Sequence, residues 1–128
     1  MRTLLLLDSI GYLDERAAGA VVVAGSHGGR SAADYVLRHP QRPHAVFFND
    51  AGVGKERAGI VALEMLDGID VICATYGHLS ARIGDADDGW RSGVVTHANE
   101  AARVAGLAPG QSVAEAVARL RESAVPSA

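Results

Sequence analysis

Four apolar runs in this chain each end in a short polar segment, and this repeated pattern restricts the fold more than any other feature. The runs begin near residues 4, 21, 45 and 69, and glycine is present in the last three polar segments. Continuous apolar runs of this length are typical of strands that are buried on both faces of a parallel sheet. Because parallel strands end at one edge of their sheet, the polar segments are expected to meet at a common site there.

The segments between the runs carry helical spacing and capping signals, so the chain alternates between strand and helix patterns. We predict strands at 3–9, 20–25, 44–49 and 69–76, and helices at 30–39, 56–67, 94–105 and from 112 onwards. Residues 77–93 are expected to form a long loop, with 85–90 as a mobile flap. The prediction is one three-layer α/β domain over residues 1–128, with a mostly parallel sheet of about four strands flanked by helices and a frayed tail from residue 123.

Composition narrows the class of protein. The chain has 128 residues, of which 48% are hydrophobic, which is enough for one domain with a buried core. A net charge of −3 offers no basic surface, so nucleic acid is not an expected partner. No run approaches the roughly 20 apolar residues of a membrane span, and the single Cys73 suits a reducing compartment. We therefore expect a cytoplasmic protein that binds neither nucleic acid nor membrane.

The basic residues of this chain are almost all arginine. Eleven of the twelve are arginine and only Lys55 is lysine, and alanine and glycine are abundant. Such a bias is typical of a GC-rich bacterial gene, so a retained lysine suggests a specific role for Lys55. The alternative is an exposed lysine that contributes little.

The polar segment after the second run contains Ser26, His27, Gly28 and Gly29, just before a predicted helix. Free main-chain N–H groups at a helix start can bind an anion or a developing oxyanion. Ser26 is a candidate nucleophile and His27 a candidate general base, but adjacent side chains of an extended segment point in opposite directions, so one of the two is expected to face the pocket. Gly28 and Gly29 are candidates for substrate binding. The alternative is a tight turn with a capping serine and a structural histidine.

The segment after the third run contains Asn49, Asp50, Gly52, Gly54 and Lys55. It lacks the first glycine and the final Ser or Thr of a phosphate-binding loop, so nucleoside triphosphate binding is not expected. We expect Asp50 to orient a histidine or to take up a proton itself. The other four residues are candidates for substrate binding, with Lys55 holding a carboxylate.

The segment after the fourth run places His78, Ser80 and Arg82 at alternate positions, which would point them to one side if the chain stays extended. His78 is a second candidate general base, and Arg82 is a candidate carboxylate clamp. Ser80 is a further candidate for substrate binding. The alternative is a solvated loop.

Asp8, at the end of the first run, completes the catalytic candidates as a partner for a histidine. Asp8, His27, Asp50 and His78 would also suit a metal if they converged, but no closely spaced ligand pair is present. We therefore predict no metal and no cofactor.

Together these groups indicate a small cofactor-independent enzyme acting on a small anionic metabolite, most simply a hydrolase of an amide, ester or lactam bond. The same groups would serve an isomerase or lyase that removes a proton next to a carbonyl. They would also serve a non-catalytic anion-binding module or accessory subunit. A shallow site at a sheet edge is often completed by a second subunit, so a homo-oligomer is a further hypothesis.

Overall fold

A computed structural model describes residues 1–123 and contains one five-stranded sheet, in the order β1-β2-β3-β4-β5. The strands are β1 (Leu4–Leu7), β2 (Val21–His27), β3 (Ala45–Asn49), β4 (Ile72–Tyr76) and β5 (Val95–Ala98). Strands β1 to β4 are parallel, whereas β5 runs antiparallel to β4. The predicted α/β fold is confirmed, with five strands instead of about four.

Helices cover both faces of the sheet, which gives the three expected layers. They are α1 (Arg30–Arg38), α2 (Ala62–Asp67), α3 (Ala86–Ser92), α4 (Glu100–Val104) and α5 (Val113–Arg121), with short 3-10 helices at Ile10–Tyr12, Glu15–Ala17 and Lys55–Arg57. Helices α1 and α2 pack on one face with the first 3-10 helix, and α3, α4 and α5 pack on the other.

The apolar runs are continuous because both faces of the central strands are covered. On β2, Val22 and Ala24 face the α1–α2 layer, while Val21 and Val23 face the α3–α5 layer, and all four are fully buried. Burial of this kind is the main stabilising contribution to such a domain. It holds the ends of β1 to β4 at one edge of the sheet.

The predicted helix over 94–105 is wrong in its first half. Residues Val95–Ala98 form β5, which pairs Ala98 with Ala74 of β4 and His97 with Thr75. The helix begins only after Asn99, whose side-chain oxygen accepts a hydrogen bond from the Ala102 N–H. Asparagine in this position is a strong helix start signal, and it fixes the boundary between strand and helix.

The predicted flap over 85–90 is also wrong, because most of it lies in helix α3. The Asp85 side chain caps this helix by accepting from the N–H of Asp88 at 3.0 Å. Trp90 is partly buried and packs against the core on that face of the sheet. Seven of the seventeen residues expected to form the loop are therefore helical, and residues 77–85 remain irregular.

The predicted helix over 56–67 is only half formed. Helix α2 begins at Ala62, and the residues before it make a 3-10 turn in which Glu56 and Arg57 have φ values of 54° and 61°. Gly59 lies tightly against the end of β3, since a Cβ there would overlap the carbonyl oxygen of Asp50. The chain therefore doubles back against the end of β3 before it becomes helical.

The expected frayed tail begins at Ser123, and that residue is anchored: its hydroxyl accepts from the Arg2 Nε at 3.1 Å and lies 3.1 Å from His44 Nε2. The remainder of that tail, residues 124–128, lies outside the described residues. Within residues 1–123, every helix is too short or too polar to cross a bilayer.

Candidate functional site

The four predicted strand ends lie at the same edge of the sheet, but their candidate catalytic side chains do not converge on one groove. His27 is aligned with Asn49 of β3, and Asn49 is aligned with Tyr76 of β4. His27 is thus two strand spacings, or roughly 10 Å, from the end of β4 that leads to His78. The two histidines line different grooves, so each must be considered with its own neighbours.

Asp50 and His78 form the closest pair of candidate catalytic groups. Asp50 is 4% exposed, and its Oδ1 accepts from the main-chain N–H groups of Gly52 at 2.8 Å and of His78 at 3.1 Å. Its Oδ2 accepts from the Thr96 hydroxyl at 2.9 Å. The His78 Nδ1 lies 3.4 Å from Oδ1, a loose contact of the kind common for acid–base pairs in unliganded sites. The carboxylate is held by three donors and faces one imidazole.

The same donors keep Asp50 ionised. Burial raises the pKa of its carboxyl, but hydrogen bonds from Gly52, Thr96 and His78 outweigh burial and bring the pKa below its ordinary value of 3.8. A carboxylate that accepts several hydrogen bonds favours its charged form in this way. At neutral pH the Asp50 side chain is therefore an acceptor only, and it favours a proton on the Nδ1 of His78.

Thr96 is a site residue that the sequence did not indicate. It lies near the start of β5, and the antiparallel direction of that strand brings it to the ends of β3 and β4. The segment was expected to be helical, which would have placed Thr96 elsewhere. The start signal at Asn99 was the one local indication that the helix begins later.

The groove beside His78 is small and mostly apolar, with a volume of about 270 Å³. Asp50, Gly77, His78, Leu79, Ser80, Val94 and Thr96 line it. Leu79 is 92% exposed, and Val94 is also exposed. The Ser80 hydroxyl is occupied, since it donates to the Gly77 carbonyl oxygen at 2.8 Å and accepts from the Val94 N–H at 3.0 Å. Ser80 therefore fixes the shape of the groove.

The loop after Asp50 lies against the imidazole. A Cβ on Gly52 would be 3.3 Å from Cε1 of His78, so glycine lets the ring lie close to the loop. Ala51 and Val53 have φ values of 51° and 72°, which are costly for non-glycine residues and are often found at functional sites. Gly54 follows with φ 73°, and Lys55 is exposed, with no ion pair to any residue in 1–123.

The second groove contains Ser26 and His27 and has a volume of about 320 Å³. The Ser26 hydroxyl accepts from the Ile10 N–H at 2.9 Å, and His27 is exposed with its ring against Gly29. An irregularity in β2 between Val23 and His27 sets these directions. Neither residue makes a hydrogen bond or ion pair to Asp50 or His78, and they line a different groove, so the nucleophile and base predicted here are separated from the buried carboxylate.

Three more predicted binding residues have structural partners. The Gly28 N–H donates to the Asn49 carbonyl oxygen at 3.1 Å, and the Gly28 carbonyl oxygen accepts from the Ala62 N–H. Gly29 is the N-cap residue of α1. Asn49 is fully buried, donates to the Ala81 carbonyl oxygen at 3.1 Å and accepts from the Ala51 N–H at 2.8 Å. These contacts position the loops at the edge of the sheet.

Neither Asp8 nor Arg82 lines the groove of Ser26 and His27 or the groove of His78. Asp8 accepts from the Ala86 N–H at 3.0 Å and so stabilises the start of α3, away from both histidines. Arg82 is exposed, and its main-chain N–H donates to Asp88 at 2.8 Å. Its guanidinium makes no hydrogen bond or ion pair to the described residues.

The acidic and imidazole side chains do not gather as metal ligands would: no group of three or more His, Cys, Asp or Glu in residues 1–123 is arranged to hold a metal ion. No family model matches this chain, and no curated protein or solved structure matches it either. The arrangement at the sheet edge is therefore interpreted through its own geometry. It can accept a proton at His78, next to a fixed negative charge.

Proposed function

We propose that this protein is a small hydrolase-like enzyme in which His78 acts as a general base and Asp50 holds its orientation. The observation that carries the proposal is the buried carboxylate of Asp50, held by three donors and lying 3.4 Å from Nδ1 of a half-exposed imidazole. A proton on Nδ1 leaves Nε2 with a lone pair that can take a proton. Buried carboxylates orient histidine bases in this manner in many hydrolases.

The reaction would use water as the nucleophile. His78 takes a proton from water as the oxygen attacks a carbonyl carbon, and it then gives that proton to the leaving amine or alkoxide as the bond breaks. Water is favoured over serine because Ser26 lies in the other groove and the Ser80 hydroxyl already has two partners. The Leu79 N–H, which donates to no group in residues 1–123, is a candidate donor to the developing oxyanion.

The surroundings of His78 indicate the substrate. Leu79 and Val94 make one wall apolar, which suits an aliphatic group next to the reacting bond. Lys55 and Arg82 are exposed cations at the same edge of the sheet, and both would attract a substrate carboxylate. We therefore propose a small anionic amide, ester or lactam as the substrate.

An isomerase or lyase is the alternative reaction. A histidine base with no free hydroxyl nucleophile beside it can equally remove a proton next to a carbonyl, and a substrate carboxylate would bind to the same cations. A non-catalytic anion-binding module is the alternative outside catalysis. In that case His78 would donate or accept a hydrogen bond without turnover.

The same proposal includes the cellular compartment and the assembly of the protein. A single thiol and an arginine-rich, lysine-poor composition support a bacterial cytoplasmic enzyme. Both grooves are shallow, and a second copy of the chain would deepen them. Light scattering at several concentrations tests for such a homo-oligomer.

The decisive experiment measures hydrolysis of a panel of small esters, amides and lactams with and without a carboxylate. We expect His78→Gln to lower kcat/KM by a factor of 10² to 10⁴, the usual contribution of a general base. His27→Gln, in the other groove, and His39→Gln, at the far end of α1, are matched controls that should retain activity. Equal loss in His27→Gln and His78→Gln would contradict the assignment of the base.

Lys55→Met tests the substrate carboxylate. We expect unchanged folding and a KM for carboxylate substrates that is at least tenfold higher, which corresponds to a loss of about 1.4 kcal/mol in binding free energy. The KM for uncharged analogues should not change. If no compound is turned over by the wild-type protein but carboxylates raise its Tm, the binding module is correct and the enzyme is not.

A further inference from the structure

A line of hydrogen bonds connects Asp50 to His97, a histidine outside the groove of His78. The Asp50 Oδ2 is 2.9 Å from the Thr96 hydroxyl, which is 3.0 Å from the Thr75 hydroxyl. The Thr75 hydroxyl is in turn 3.3 Å from Nδ1 of His97. Thr75 is fully buried in β4, whereas His97 is half-buried on β5 and lines a separate groove of about 300 Å³.

The chemistry of the groups gives this line a direction. Ionised Asp50 can only accept, so the hydroxyl of Thr96 donates to it. A hydroxyl has one proton, so Thr96 must accept from Thr75. Thr75 has then used its own proton, and it must accept from Nδ1 of His97. All three protons therefore point toward the carboxylate.

We propose that His97 is a positioning residue for the Asp50–His78 pair, acting through the hydroxyls of Thr75 and Thr96. Thr96 has a second acceptor within reach, the main-chain carbonyl oxygen of Thr75 at 3.3 Å. Donation from Nδ1 of His97 directs the Thr75 proton toward Thr96, so the Thr96 oxygen accepts from Thr75 and the Thr96 proton stays directed at Oδ2 of the ionised Asp50. Without that donor, both hydroxyls can rotate and the carboxylate loses one of its three donors in part of the population.

The proposal makes a statement about protonation that does not depend on catalysis. Neutral His97 must carry its proton on Nδ1, and so must neutral His78, because each ring faces an acceptor with that nitrogen. Long-range ¹H–¹⁵N NMR of the wild-type protein distinguishes the two tautomers of each ring. We expect the Nδ1–H tautomer for both histidines.

Two pairs of variants distinguish an effect of the hydrogen bonds from an effect of side-chain packing. Thr75→Val removes the hydroxyl and keeps the shape, while Thr75→Ser keeps the hydroxyl. His97→Asn retains an amide N–H near the position of Nδ1, whereas His97→Gln moves it toward the position of Nε2. We expect shifted ¹⁵N resonances of His78 in Thr75→Val and His97→Gln, and wild-type resonances in Thr75→Ser and His97→Asn.

An activity measurement rests on the proposed hydrolase function and provides a second test. Loss of one hydrogen bond to the carboxylate should lower kcat about five- to tenfold in Thr75→Val and His97→Gln with little change in KM. Thr75→Ser and His97→Asn should retain most of the wild-type kcat. Circular dichroism and Tm establish that each variant folds.

The two tests fail separately. An Nε2–H tautomer at His97 overturns the positioning role, whatever the protein catalyses. The same holds if the ¹⁵N resonances of His78 are unchanged in every variant. The expected tautomers and shifts in a protein without turnover would support the hydrogen-bond line and overturn only the hydrolase. A variant pair that loses kcat equally, Thr75→Ser together with Thr75→Val, would assign Thr75 to packing and contradict the proposal.

Discussion

The buried carboxylate of Asp50 makes a quantitative prediction for Asp50→Asn. The substitution keeps the size of the side chain and one carbonyl oxygen, which can still accept from the N–H groups of Gly52 and His78. It replaces the charged Oδ2 with an NH₂ group that faces the Thr96 hydroxyl, so that hydrogen bond must be remade or lost. The side chain is 4% exposed, and water cannot easily substitute for the missing contact.

The expected magnitude comes from those three donors. A hydrogen bond to a charged group contributes about 1.5–3 kcal/mol, compared with about 0.5–1.5 kcal/mol for a neutral one. Losing roughly 1 kcal/mol at each of three donors gives a destabilisation of about 3 kcal/mol. A domain of this size has a free energy of unfolding of about 5–15 kcal/mol, so the change is well within range of measurement.

The effect must depend on pH with a defined sign. The pKa of Asp50 is lowered in the folded protein, so its charge contributes stability above the unfolded value of 3.8. That stability is lost as the pH falls through the lower folded pKa. Urea unfolding of the wild type and of Asp50→Asn should therefore differ by the full amount at pH 5–7, and the difference should shrink below pH 3.8.

Asp87→Asn is the matched control, because Asp87 is exposed and pairs only with Arg91 across one helical turn. Its stability should match the wild type closely at every pH. A difference between wild type and Asp50→Asn that is the same at pH 3 and pH 7 would show that the charge contributes nothing. A stability of Asp50→Asn equal to that of the wild type at pH 7 would refute the whole argument.

Three further predictions concern the framework around the site. Asn99→Ala should cost about 3–5 kcal/mol in urea unfolding, because the buried amide makes four hydrogen bonds to main-chain groups. Asn99→Asp should not restore that stability, because a carboxylate oxygen would face the carbonyl oxygens of Leu63 and Val71, and a loss below 1 kcal/mol in Asn99→Ala would contradict the prediction. Gly59→Ala should destabilise the protein by several kcal/mol in the same assay, since a Cβ would overlap the Asp50 carbonyl oxygen. Gly110→Ala should cost less, because its Cβ would meet no atom within 4 Å and only the φ of 93° disfavours a side chain there. Cys73 is fully buried, which raises the pKa of its thiol, so iodoacetamide should modify it only in molecules that have opened or unfolded; rapid modification of the native protein would refute that burial.

The sequence predicted the parallel part of the sheet well because the signal there is redundant. Each run such as residues 21–24 is apolar on both faces, and only a doubly covered strand accounts for that pattern. The same argument predicted the edge at which Asp50 and His78 meet. Pairing of side chains at that edge depends on local turns, and spacing along the chain does not reveal those.

The predictions that were wrong have a common physical origin: tertiary contacts outweighed the local spacing of apolar residues. Val94 and Ala98 lie at helical spacing with residues further on, but pairing with β4 makes the segment a strand. Ser26 was expected as a nucleophile in the common site, yet it lies next to an irregularity in β2 and its hydroxyl accepts from the Ile10 N–H. Asp85 and Asn99 are residue types that favour a helix start, and both cap helices in the structure, so they were the local features that indicated the correct helix boundaries.

The direction of β5 decides whether the proposed site can exist. Strand β4 ends at Tyr76, and antiparallel pairing aligns Tyr76 with Val95 at the start of β5, so Thr96 lies at the carboxyl edge of the parallel strands. A parallel fifth strand would begin at the opposite edge, one strand length or about 15 Å away, and its second residue could not reach Asp50. The antiparallel strand thus supplies the hydroxyl donor for the carboxylate, and the same strand carries His97. The junction between parallel and antiparallel pairing is therefore the feature that brings Asp50 and His78 together with the hydroxyls of Thr75 and Thr96.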